Sequence, residues 1–69
     1  MPYAIWNKRY KKWLYGTDFR CMPHRQILDF YMPKLWMFDF EVGSEFKRRG
    51  CGKEYEIVEV KVVKEQEHE

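Results

Sequence analysis

Apolar and polar side chains alternate from the start of the chain: Tyr3 and Ile5 fall on one side of an extended segment, Ala4 and Trp6 on the other. With its β-favouring residues, this pattern predicts a strand over Tyr3 to Lys8. Asn7 to Lys11 is polar and turn-compatible. The β pattern resumes at Lys12-Trp-Leu-Tyr15 and is expected to stop at Gly16-Thr17-Asp18, so the two runs read as a hairpin.

From Phe19 to Pro33 two prolines, Pro23 and Pro33, interrupt the chain. Gln26 to Met32 fits a short helical turn or an extended loop, because the spacing of Ile27, Leu28, Phe30 and Tyr31 does not separate the two. A stretch of about fifteen residues without regular structure is long for a compact domain, which makes it a candidate for function.

Lys34 to Phe38 is a short apolar run after a proline and is expected to form the third strand. Asp39 has the chemistry of a helix N-cap, accepting a bond from an unpaired N–H of the first turn. The helix is expected over Phe40 to Arg49, with Phe38, Val42 and Phe46 four apart along one face. Glu41 suits its positive end and Lys47, Arg48 and Arg49 its negative end, with Gly50 and Gly52 as the stop. Gly43 weakens its interior by about 1 kcal/mol relative to alanine. Tyr55 to Val63 is the clearest strand, with Val58, Val60 and Val62 on one side. Its first half reads as buried on both faces, which suits a place near the middle of a sheet.

The order β-β-β-α-β predicts an α+β fold: a small, mostly antiparallel four-stranded sheet with one helix on one face. Residues 1–63 form the expected single domain, and 64–69 a solvated acidic tail.

Composition supports that reading. A chain of 69 residues buries only about 60% of its unfolded surface, so a second core is excluded. At 45% hydrophobic and 19% aromatic, a core of a few large side chains needs no disulfide or metal. No apolar run approaches the roughly 18 residues of a membrane span, and no secretion signal is legible, so a cytoplasmic protein is expected. Cys21 and Cys51 then read as free thiols.

The net charge of +2 is unevenly spread. Lys8, Arg9, Lys11, Lys12, Arg20 and Arg25 outnumber Asp18 and Asp29 in the first thirty residues. Six glutamates face Lys61 and Lys64 from residue 54 onward.

Tyr3-Ala-Ile-Trp-Asn-Lys8, Leu14-Tyr-Gly-Thr-Asp-Phe-Arg20, Glu45-Phe-Lys-Arg-Arg49 and Tyr55-Glu-Ile-Val-Glu-Val60 together resemble the short proteins encoded by bacteriophages and prophages of Gram-positive bacteria. The resemblance implies a viral accessory role in the cytoplasm of an infected host, such as blocking a host enzyme or a defence system. It carries over no site residues.

Candidate chemistry is sparse. Cys21, His24, Cys51 and His68 are possible metal ligands, but only Cys21 and His24 have ligand spacing, so neither metal nor cofactor is expected. A nucleophilic cysteine needs a base and an orienting third group, which the sequence does not supply, and no enzyme activity is expected.

Binding is the better-supported class. Three tryptophans, five tyrosines, five phenylalanines and four methionines exceed what such a core can cover, so some rings should be exposed as interface anchors. Phe30, Tyr31, Met32 and Trp36, with Arg25, are the candidate contacts for a host protein. The alternative is a nucleic-acid site on the basic, aromatic hairpin: Lys8, Arg9, Lys11, Lys12 and Trp13, joined by Arg48 and Arg49. A homo-oligomer would hide the same rings, and one holding an anionic nucleotide between subunits is a third possibility.

Overall fold

The computed structural model describes residues 2–61. The expected tail at 64–69 and His68 lie outside them, as do Val62 and Val63. Five elements follow one another: β1 (Tyr3–Asn7), β2 (Lys12–Asp18), β3 (Arg25–Asp29), α1 (Asp39–Arg48) and β4 (Tyr55–Glu59). The strands form one antiparallel sheet in the order β3-β2-β1-β4. The α+β class and the β-β-β-α-β sequence are as expected.

Residues directly opposite in an antiparallel pair share a face, so the register assigns the two sides. Ile5 stands opposite Ile57, and Leu14 opposite Leu28. Ile5, Leu14 and Val42 of α1 are buried together, with Tyr3, Leu28, Trp36, Phe46, Cys51 and Tyr55 packed around them. On the other face Trp6 stands opposite Trp13, their rings edge-on at 4.7 Å.

Five expectations need correction. The third strand is Arg25–Asp29, not Lys34 to Phe38. β2 runs on through Gly16, Thr17 and Asp18, because a bulge between Leu14 and Gly16 shifts the register by one residue and lets those three pair with β3. Past Leu14 the pairing of β2 with β1 ends, and Lys34–Trp36 takes up the vacated main-chain groups. Lys34 N–H donates to the Leu14 carbonyl at 3.0 Å, and Tyr3 and Trp36 exchange bonds of 2.7 and 2.9 Å. The apolar run thus makes one isolated bridge rather than a strand.

β4 lies at an edge of the sheet and not near its middle. Ile57 is 44% exposed, since among the described residues no further strand flanks it, and the two-sided burial expected there is absent. Asp39 is the first helical residue rather than the cap; Phe38 holds the N-cap position in extended geometry, without a side-chain bond to the helix. Phe38 is also exposed, so only Val42 and Phe46 carry the packed face. Of the two expected stop glycines, Gly50 adopts φ of 73°, a conformation that costs a side-chain-bearing residue about 1–2 kcal/mol.

Candidate binding surface

The connection from β3 to α1 begins with Asp29. One carboxylate oxygen, Oδ1, accepts the Tyr31 N–H at 2.8 Å and the Met32 N–H at 2.7 Å, folding the chain into a tight turn. The Met32 and Tyr31 N–H groups favour the ionised carboxylate and hold its pKa below the ordinary 3.8. Farther on, the Lys34 and Trp36 main-chain bonds pin the segment to β2 and β1. A connection fixed at three points is a preorganised one.

Its side chains nonetheless point outward. Phe30 is 59% exposed, Tyr31 81% and Met32 58%, with Phe30 and Tyr31 ring centroids 5.0 Å apart. Leu35, Met37, Phe38 and Phe40 continue the exposed apolar stretch into the start of α1, where the Phe38 and Phe40 rings stack at 5.5 Å. Burying one such side chain is worth roughly 1.5–3 kcal/mol. A surface leaving several in water within a dozen residues retains a large unused driving force for association.

Of the five candidate protein contacts, Phe30, Tyr31 and Met32 come together. Trp36 turns inward against the core and is only partly accessible, with the Arg49 guanidinium 5.5 Å from its ring centroid. Arg25 lies at the opposite end of β3, about 13 Å along the strand from Asp29. Leu35, Met37, Phe38 and Phe40 were not singled out from sequence. Strand and helix periodicity assigned the apolar run to the interior, and the only counter-signal was Phe38 and Phe40 flanking Asp39, since helical spacing cannot place both on the packed face.

The basic hairpin forms a second surface. Buried Asn7 shapes its turn: Oδ1 accepts the Tyr10 N–H at 2.7 Å, and its main-chain carbonyl accepts the Lys11 N–H at 2.9 Å. Lys8 donates its N–H to the Glu54 carbonyl at 2.7 Å, tying the turn to the start of β4. Lys8, Arg9, Lys11 and Lys12 are all exposed beside Tyr10. Arg9 pairs with Glu54 at 3.1 Å and lies 5.3 Å from the Tyr10 ring centroid. Trp13 is partly covered by Trp6.

Arg48 and Arg49 do not extend this patch. They lie beside Phe19 and Thr17, at the far end of β2 from Lys12. Arg48 is exposed and pairs with Glu45 at 3.0 Å. Arg49, expected to offer charge to a ligand, is instead only 6% exposed. Its guanidinium donates to Glu45 and Thr17, and its main-chain carbonyl accepts the Gln26 side chain.

Among the described residues the candidate metal ligands Cys21, His24 and Cys51 do not converge on one site. Among the described residues no group of three or more histidine, cysteine or acidic side chains is placed to hold an ion. Cys21 is exposed, and His24 Nδ1 lies 3.1 Å from the Cys21 carbonyl oxygen. Cys51 is partly buried, and burial pushes its thiol from 9.0 up to about 11 against the opposing pull of Arg49. That shift disfavours the free thiolate near neutral pH. No described helix is long and apolar enough to cross a membrane.

These features define a small α+β domain with one apolar and one basic outward surface. No protein-family model, curated protein or solved structure matches the chain.

Proposed function

We propose that this is an interaction protein that docks on another protein through the segment from Phe30 to Phe40. The observation that carries the reading is the exposure of Phe30, Tyr31 and Met32 on a connection whose backbone Asp29, Lys34 and Trp36 hold in place. Rigid aromatic anchors lose little conformational freedom on binding, and such residues supply most of the energy of many interfaces. The resemblance to phage and prophage proteins suggests a bacterial host protein as partner, one whose activity or defence role is modulated. The test is affinity capture from host lysate with three forms of the protein. A partner captured by the wild type and by a Lys8→Glu/Lys12→Glu form, but not by Phe30→Asp/Tyr31→Asp, supports the reading. Equal capture by all three overturns it.

A second reading, nucleic-acid binding, is favoured by the exposed cations around Tyr10 on the hairpin. Phosphates need charge and bases need a flat face to stack on, and this turn offers both. Binding to a single-stranded oligonucleotide should then weaken steeply with salt and be lost in Lys8→Glu/Lys12→Glu. Absence of binding at low salt removes this reading.

A further inference from the structure

Among the described residues β3 is an edge strand hydrogen-bonded only to β2, and its sequence, Arg25-Gln-Ile-Leu-Asp29, carries opposite charges at its two ends. An antiparallel strand laid beside it with a two-fold axis at Ile27 sets Arg25 against Asp29 of the second copy, and Asp29 against its Arg25. We infer that two copies of this chain associate through their β3 edges to form one continuous sheet.

The backbone has the right polarity for that register. Leu14 directs its carbonyl to Lys34, away from β3, so the Leu14–Leu28 pair is a non-hydrogen-bonded one. Leu28 therefore turns its own N–H and C=O toward the outer edge. Gln26, two residues away, does the same. In the two-fold arrangement Gln26 meets Leu28 of the second copy, so outward-facing groups meet outward-facing groups. Ile27 then meets its own symmetry mate as a non-hydrogen-bonded pair, with Cα atoms about 4.5 Å apart and side chains in close contact.

The side chains agree with the backbone. Arg25, Ile27 and Asp29 share the face opposite the helix, by alternation from the Leu28–Leu14 pair. Ile27 is 48% exposed although it lies at the centre of a strand. Arg25 forms no salt bridge among the described residues, while its neighbour Asp18 is taken by Arg20 at 3.0 Å. An open concavity of about 460 Å³, bounded by Asp18, Arg25, Gln26, Ile27 and Leu28, runs against this strand. The other edge, β4, suits a second copy poorly. Glu56 and Glu59 would be gathered there without an opposing cation in the strand, a repulsive arrangement.

Self-association through β3 requires no other partner. Its test is the molar mass of the wild-type chain by sedimentation from about 1 to about 300 µM, a range that covers the weak association of a small interface. The mass should double as concentration rises. Arg25→Glu and Asp29→Lys should each weaken self-association about tenfold or more, because each sets like charges opposite one another twice per dimer. Mixed together, these two variants should recover the dimer, since every cross-strand pair is then of opposite sign. Ile27→Lys leaves the Asp29 turn intact and should also give monomers, which keeps the test valid if Asp29→Lys fails to fold. Ile57→Lys on β4 should dimerise like the wild type. A wild-type mass that stays monomeric throughout, or an Ile27→Lys form that dimerises normally, overturns the proposal.

Discussion

Arg49 Nη1 donates a hydrogen bond to Thr17 Oγ1 at 3.0 Å, joining the end of α1 to the far end of β2 across 32 residues of sequence. The same guanidinium holds Glu45 at 2.8 Å through Nε and lies 5.7 Å from the Phe19 ring centroid and 5.5 Å from that of Trp36. Thr17 Oγ1 in turn donates to Gln26 Oε1 at 2.7 Å. One buried cation therefore links the helix, the β2–β3 hairpin and the β3–α1 connection. Arg49→Ala should destabilise the fold by about 1–3 kcal/mol through the lost bonds and packing. Arg49→Lys should recover only part, because an ammonium cannot reproduce the planar fork. Urea unfolding of the three proteins measures both differences.

Glu45 accepts bonds from both arginines, and its carboxyl is held below the ordinary 4.5, chiefly by the Arg48 hydrogen bond with further help from Arg49 and against some burial. Asp18 is held below 3.8 by Arg20. A carboxyl whose pKa is lower in the folded than in the unfolded state adds stability that is complete above the unfolded value. That stability is lost as pH falls through the folded value. Thermal unfolding midpoints should thus stay level from about pH 7 to about 5 and drop below about 4.5. Glu45→Gln should lower the midpoint at neutral pH and flatten the acid-side drop.

Lys11 closes the first hairpin with φ of 59°, a left-handed conformation that a side chain makes unfavourable. Lys11→Gly should stabilise the protein by up to about 1 kcal/mol, the relief of that conformation being partly offset by the greater freedom of glycine in the unfolded chain. A rise in the urea midpoint with an unchanged slope would be the expected result. The same variant removes one cation from the hairpin, so any salt-dependent oligonucleotide binding should fall with it.

Phe38 occupies the N-cap of α1 without contributing a side-chain capping bond, and it is exposed. Phe38→Ser should add about 1 kcal/mol of stability by supplying an acceptor to the first turn. If the Phe30-to-Phe40 surface is the docking site, the more stable variant should bind its partner less well. Calorimetric unfolding alongside the capture assay separates the two effects.

The first hairpin and the helix were legible in the residues because their signals are local. A two-residue alternation runs from Tyr3 to Trp6, and Val42 and Phe46 repeat at helical spacing between acidic and basic ends. β3 was not legible. Within Arg25–Asp29 only Leu28 joins the core periphery, so its alternation is weak, and its pairing depends on a bulge in β2 that no local pattern announces. Lys34 to Phe38 looked like a strand because its residues favour one, yet it forms one bridge in the gap where β2 leaves β1. Arg49 stood in a run of three cations and was counted as surface. Its burial required Thr17 and Phe19, Trp36, and Glu45 to converge from three parts of the chain. The residues thus settled the class of fold and the excess of rings over core. Tertiary contacts settled which strand paired, which arginine was spent inside and which rings stayed in water, because each of those outcomes depends on groups distant in sequence competing for the same few main-chain partners and the same small interior.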